Sequence, residues 1–461
     1  MMTRHRSMAG LLLFLGGVVQ VQAAGVVPGV VAGYPLGGVP LEFLLFGLTL
    51  LGVMLLHRYT FQVALSGLLA ITVYKLLFAG FRFGSGWSGL WAHLEHEWVI
   101  LANLLGLLLG FELLSRHFEK SRVPVLLPRY LPSGWPGAFA LLVVVFVLSA
   151  FLDNIAGALI GGAMAHQLFK ARVHVGYLAA IVAASNAGGS GSVLGDTTTT
   201  MMWLDGVSPL DVLHAYAAAL SALLVFGVFA ARQQHAHSPI LRTAHERVHV
   251  DWPRLIIVLL ILLAALVTNL LVNGEYRAMA DAFPFLGVAV WLVLLLSAWI
   301  RRPDWEVLPG SFKGALFLLC LVTAASMMPV EHLPVASWQT TLGLGFLSAV
   351  FDNIPLTALA LKQGGYDWGV LAYAVGFGGS MLWFGSSAGV ALSNMYPEAR
   401  SAALWLRHGW HIVPAYVIGF FVLLGLLGWQ PHEPHKTYPG APLIQGSALP
   451  PTPLHAPAAA P

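Results

Sequence analysis

Charge is scarce in this chain. Lys, Arg, Asp and Glu make up 9% of its 461 residues, whereas soluble domains carry roughly 25%, so a water-soluble globule is excluded. Cysteine is rarer still: Cys320 stands alone in an apolar run, which rules out an internal disulfide and a cysteine metal cluster. Most of the 18 histidines fall in loops or the tail, and the HExxH match His245-Glu246-Arg247-Val248-His249 stands in the charged loop outside the apolar runs, so an enzyme is not expected. A net charge of +3 in so apolar a sequence says nothing of nucleic acid. The positions of Lys and Arg report membrane topology instead.

Oil is abundant, at 58% hydrophobic residues, and the chain reads as an all-α polytopic membrane protein. Arg4 and Arg6 precede a short apolar stretch ending in Val21-Gln22-Ala23, which suggests a signal peptide over 1–23. Residues 431–461 hold nine of the 27 prolines and are expected to be disordered. A span needs ~20 apolar residues. Spans are expected near 41–57, 60–80, 98–115, 174–203, 208–231, 254–273, 284–300, 314–330, 366–396 and 409–429. Segments 137–165 and 337–361 are long for one crossing and short for two, so each reads as a re-entrant helical hairpin.

The basic residues support that reading. With both hairpins returning to their own side, 16 of the 23 Lys and Arg residues fall in inner loops, as the positive-inside rule requires. Each half then has five spans and one hairpin. Five is odd, so the second repeat (254–430) is inverted relative to the first (24–231), with a His- and Arg-containing cytoplasmic loop at 232–253. Inverted repeats with interrupted helices meeting near the midplane typify secondary transporters.

The hairpins echo one another. "SAFLDNI" starts at Ser149 and "SAVFDNI" at Ser348, agreeing at five of seven positions. Each is followed by a span broken by glycine and hydroxyl residues, "SNAGGSGSVLGDTTTTMMW" from Ser185 and "GGSMLWFGSSAGVALSN" from Gly378. Four glycines per span, at about 1 kcal/mol each, disfavour continuous helix, and unwound backbone at membrane depth can offer carbonyl oxygens to cations. Asp153, Asp196 and Asp352 lie deep in apolar sequence, where a charge costs ~2.5–3.5 kcal/mol and usually marks function. No basic residue sits within a dozen positions of Asp153, and only Lys362 is near Asp352. Such a carboxylate can take either a proton or a hard cation, and the surrounding Asn, Ser and Thr supply further oxygens. Ser149 and Asp153 are spaced i, i+4, as are Ser348 and Asp352, so each pair is expected on one helix face.

The motifs "SAFLDNI", "NAGG…GDTTTTMMW", "SAVFDNIPLTA" and "GGSMLWFGSSAGVA" resemble NhaD-type sodium/proton antiporters, of a superfamily that also holds arsenite permeases and dicarboxylate or citrate carriers. The resemblance implies an inverted-repeat fold, commonly a homodimer in a bacterial-type inner membrane, that exchanges sodium or lithium for protons without a cofactor. Its functional polar residues, carried onto this sequence, are Ser149, Asp153, Asn154, Asn186, Asp196, Thr198, Thr199, Ser348, Asp352, Asn353 and Ser387. Two departures concern selectivity: "DNIAGAL" lacks the Pro-Leu-Thr that follows Asn353, and Ser190-Gly191-Ser192 stands where an aromatic and Ser-Pro are typical. The alternative is a sodium-coupled dicarboxylate or citrate carrier, against which a fixed Asp at each hairpin counts. The histidines, including His93, His96, His235, His237, His245 and His249, read as solvated loop residues rather than a pH sensor. Lys75 and Glu112 look like an intramembrane pair but fall near opposite faces, so they are not expected to touch.

Overall fold

A computed structural model describes residues 35–36, 38–56, 59–240, 249–274 and 276–432. The proposed signal peptide, residues 241–248 of the central loop with His245, and residues 433–461 lie outside the described residues. A two-stranded antiparallel pair, Pro35–Leu36 with Val39–Pro40, leads into helices. In the first half these are α1 (Leu41–Leu55), α2 (Thr60–Leu77), α3 (Gly86–Lys120), α4 (Trp135–Ser149), α5 (Asn154–Leu168), α6 (Val175–Ser190), α7 (Thr197–Leu204) and α8 (Ala215–His237). The second half has α9 (Trp252–Gly274), α10 (Phe285–Ser297), α11 (Leu308–Ser326), α12 (Trp338–Ser348), α13 (Asn353–Gln363), α14 (Trp368–Gly378), α15 (Ser387–Met395), α16 (Ala402–His408) and α17 (Ile412–Leu427).

The protein is an all-α, multi-pass membrane protein. Among the described residues five helices are each long and apolar enough to cross a bilayer, and the pair α16–α17, bent by 60°, makes a sixth. The other expected spans differ for local reasons. Segments 174–203 and 366–396 are split where glycine and hydroxyl residues interrupt the helix, and α1 and α10, at 15 and 13 residues, reach only ~20 Å at 1.5 Å per residue.

The two halves repeat the same order of elements, and their contacts are reciprocal. Helix α2 crosses to pack on α11, and α10 crosses to pack on α3. Equivalent elements meet as α3 with α11, α6 with α14 and α8 with α17. Association in lipid depends on close packing of small residues, and α6 shows it: Ala179, Ala180, Ala183, Ala184 and Ala187 are wholly buried. With apolar residues all round, α6 and α14 have no solvated stripe and occupy the centre.

Contacts at the helix ends sort the molecule into two poles. At one, Lys120 Nζ lies 2.7 Å from Asp304 Oδ2, Arg301 Nε 3.0 Å from Asp251 Oδ2, and the Asp251 amide donates to the Ser121 carbonyl. The end of α8 reaches both outer ends of the α4–α5 pair there: Ile240 lies over Gly137, and Gln234 Nε2 donates to the Arg172 carbonyl at 3.0 Å. At the other pole Gln363 Nε2 donates to the Pro334 carbonyl at 2.7 Å, closing the outer ends of α12–α13. Lys362 Nζ lies 2.8 Å from Glu97 Oε1. Glu97 is 23 residues before Lys120 in α3, or ~34 Å along the helix.

Lys75 and Glu112 stay apart, as expected: Lys75 Nζ sits 5.8 Å from the Phe81 ring centroid, whereas Glu112 pairs with Arg116. The histidine reading needs correction. His93 is not solvated; it is 2% exposed, with Nε2 3.0 Å from Ser326 Oγ. Its place on the inner face of a packed helix, rather than in a loop, accounts for the difference.

Candidate functional site

Helix starts build the site. α5 is capped by Asp153, α13 by Asp352, α7 by Asp196 and α15 by Ser386. Asp153 Oδ2 accepts the Ile155 amide at 3.3 Å, Asp352 Oδ1 the Ile354 amide at 3.1 Å, and Asp196 Oδ1 the Thr198 amide at 3.0 Å. Aspartate is a favoured cap because it satisfies a backbone donor that the helix leaves free. The same place suits its charge, since aligned peptide dipoles stabilise an anion at a helix N-terminus. This corrects the shared-face expectation for Ser149 with Asp153 and Ser348 with Asp352. Each serine ends one helix and each aspartate begins the next, so the chain turns between them.

Asp196 is the hub. It is 2% exposed, and its Oδ2 accepts from Asn154 Nδ2 at 3.3 Å and from Asn353 Nδ2 at 3.4 Å. One carboxylate oxygen therefore joins the turns of both helix pairs. Asn186 carries the network onward. Its Oδ1 accepts from Asn154 Nδ2 at 3.1 Å, and its Nδ2 donates to Ser380 Oγ at 3.0 Å and Ser386 Oγ at 3.1 Å. Ser387 Oγ donates to Asp352 Oδ2 at 3.2 Å.

A cavity of about 210 Å³ opens beside this network. Asp153, Asn154, Asp196, Asn353 and Ser387 line it, and no Lys or Arg does so among the described residues. Asp352 stands one hydrogen bond behind it, through Ser387. Among the described residues no three acidic, histidine or cysteine side chains converge as a ready metal cage. A cation here would have to draw on amide, hydroxyl and carbonyl oxygens as well as carboxylates, which is the all-oxygen chemistry of hard ions.

The remaining predicted residues divide between the network and its frame. Ser149 Oγ lies 3.2 Å from Ser185 Oγ, and Ser348 Oγ donates to the Val375 carbonyl at 2.7 Å, so each stitches a turn to the broken helix behind it. Thr199 Oγ1 donates to the carbonyls of Ser192 and Asp196, closing the break rather than facing the cavity. Thr198 contributes its backbone amide to Asp196. The sequence reading missed Thr197, Thr200 and Glu112, which line the cavity, and Ser380 and Ser386, which hold Asn186. A signal for the two serines was present. "GGSGSVLGDT" from Gly188 and "GGSMLWFGSS" from Gly378 align at three glycines, Gly188, Gly189 and Gly195 against Gly378, Gly379 and Gly385, placing Ser380 opposite Ser190 and Ser386 opposite Asp196.

No family model matches the chain. Individual proteins do. It is similar to sodium/proton antiporters 1 and 2 of Arabidopsis thaliana, 26% identical over 328 and 327 residues, covering 62% of this chain and 53% and 73% of theirs. It is also similar to the Na(+)/H(+) antiporter NhaD of Vibrio parahaemolyticus, 25% identical over 338 residues, 61% of this chain and 78% of that one. The chain thus spans about half the length of the first Arabidopsis protein and about three quarters of the others. These similarities bear out the resemblance to NhaD-type antiporters carried by the four motifs.

Proposed function

We propose that this protein is a secondary transporter, not an enzyme, that exchanges sodium or lithium for protons across a membrane. The observation that carries the reading is Asp196: a buried carboxylate, held by an asparagine from each half, beside a cavity that no Lys or Arg lines among the described residues. Asp153, Asp196 and Asp352 are the sites where a cation and a proton displace one another, and Asn154, Asn186, Thr198, Ser387 and Asn353 order the oxygens and amides around them. A dicarboxylate is disfavoured at such a site. Three carboxylates would repel it, and among the described residues no Lys or Arg lines the cavity to receive it.

The reading extends to architecture. The outer ends of α4–α5 meet the end of α8 at the pole that gathers Arg116, Lys120, Arg254 and Arg301. The outer ends of α12–α13 meet at the opposite pole, beside Glu97. Two re-entrant hairpins opening to opposite sides, related by inverted repeats 24–231 and 254–430, account for both facts. The basic pole is then the cytoplasmic one. The resemblance supports a homodimer in a bacterial-type inner membrane.

Proton flux in everted vesicles, on separate addition of sodium, lithium, potassium, citrate and succinate, tests the reading. Sodium or lithium should dissipate a preformed proton gradient, and Asp153→Asn and Asp352→Asn should abolish the response while the protein still inserts. A response to citrate or succinate alone, or full exchange in both variants, refutes it.

A further inference from the structure

We propose that Glu112 is the cytoplasmic entry residue of the transport site: a carboxylate at the cavity mouth that collects cations and passes them to Asp153 and Asp196. The inference rests on the proposed cation exchange and deepens it by giving the path a side.

The cavity is not uniform along its length. On α3 its lining runs Leu104, Leu107, Leu108, Phe111, Glu112 and Ser115. That i, i+3, i+4 spacing is a single helix face, apolar first and polar only as it nears the basic pole. Helix α11 shows the same gradient from its own start. Ser311 lines the cavity nearest that pole, and Phe317 and Leu318 line it farther in. The Lys120–Asp304 ion pair confirms that the end of α3 and the approach to α11 lie together. Both walls are therefore polar toward the basic pole and apolar beyond it, at Leu104, Leu107, Leu108, Phe317 and Leu318.

Glu112 sits where the polar part begins. Its Oε1 accepts from Arg116 Nε at 3.2 Å, and Arg116 Nη1 donates to Glu119 Oε2 at 2.9 Å. One arginine is shared between two carboxylates, so the Glu112–Arg116–Glu119 group carries one net negative charge. The Glu112 side chain is 34% exposed, so it is not closed in by the protein as Asp196 is. Negative charge in a low-dielectric mouth concentrates cations and speeds their capture. Nothing in the sequence motif pointed to Glu112, because it belongs to neither hairpin nor broken helix.

The test is sidedness. In everted vesicles, whose outer face is the cytoplasmic one, Glu112→Gln should raise the sodium concentration for half-maximal exchange about threefold, the effect of one unit charge across ~7 Å of water. It should also flatten the salt dependence of that value. Maximal exchange should persist, Glu112→Asp should restore the half-saturation value, and right-side-out vesicles should show the unaltered one. An unchanged value in everted vesicles, or an equal rise from both sides, overturns the proposal. Absence of any sodium-driven flux in the unsubstituted protein would instead overturn cation exchange itself.

Discussion

The two broken helices are built alike and furnished differently. In each, a Gly-Gly-Ser run ends one half-helix, and a Gly-x pair starts the next six residues later. In the first, the cap is Asp196 and the preceding half-helix carries Asn186; in the second, those places hold Ser386 and Gly376. The backbone repeat is thus near-symmetric while the charge is not. Placing a third acid in one half only allows a single group to face both Asp-Asn turns, and Asp196 does so through Asn154 and Asn353. An Asn in place of Gly376 would crowd that acid, since even a Cβ there would stand 3.6 Å from Asp196 Oδ2 and 3.2 Å from the Ser190 Cβ. The asymmetry is what leaves room for the hub.

The sharpest break of that comparison is Asp196→Asn. It should abolish sodium-driven proton flux in everted vesicles while leaving expression and detergent melting near those of the parent, because Asn also caps helices well. Moving the acid, with Asp196→Ser and Ser386→Asp together, should not restore flux, since the transferred carboxylate faces Asn186 rather than both hairpin turns. Restored flux would show that the two breaks are interchangeable. A smaller effect is expected of Gly376→Ala. Overpacking of that kind costs roughly 1–3 kcal/mol, so melting should fall modestly, and half-saturation for sodium should rise more than maximal exchange falls. Unaltered transport would mean that the space opposite Asn186 has no role.

The smallest effect belongs at the basic pole, outside the site. Lys120 donates to Asp304 and, with Arg116 and Arg254, holds the Asp304 carboxyl below its ordinary value of 3.8. A depressed carboxylate contributes stability that is present above its unfolded value and is lost as pH falls through the folded one. This tie should therefore be constant from pH 5 to pH 9 and fade only below about pH 4. As an exposed pair it is worth about 0–1 kcal/mol, so Lys120→Ala should shift melting little and exchange not at all. A marked change in the pH profile of transport in this variant would assign the pole a regulatory part.

Much of the fold was legible because the membrane imposes strong rules. Apolar length marked the helices, though only five or six of the ten expected spans are long enough to cross, and the repeated "DNI" marked both turns. The site was legible in composition but not in roles. Asp153, Asp196 and Asp352 were visible as acids in oil. That Asp196 would be central depended on Asn154 and Asn353, 199 positions apart in the chain, converging on one oxygen. The i, i+4 reading of Ser149 and Asp153 failed because a helix was assumed to continue where an aspartate preferred to cap a new one. Glu112 and Ser311 were invisible as partners because only the packing of α3 against α11 places them on a common wall.

The close fit of glycine against carbonyl has a mechanical consequence. Gly188 rests on the Phe146 carbonyl and Gly378 on that of Gly345, with no room at either for a methyl group. Helices α4 and α6, and likewise α12 and α14, touch there backbone to backbone, so neither can slip past the other. Among the described residues, the leucine and phenylalanine wall of α3 and α11 carries no such backbone contact and meets through side chains alone, which can trade neighbours without tearing the main chain. Cargo seated between those backbone contacts would ride with them, and that greasy wall would be the rail.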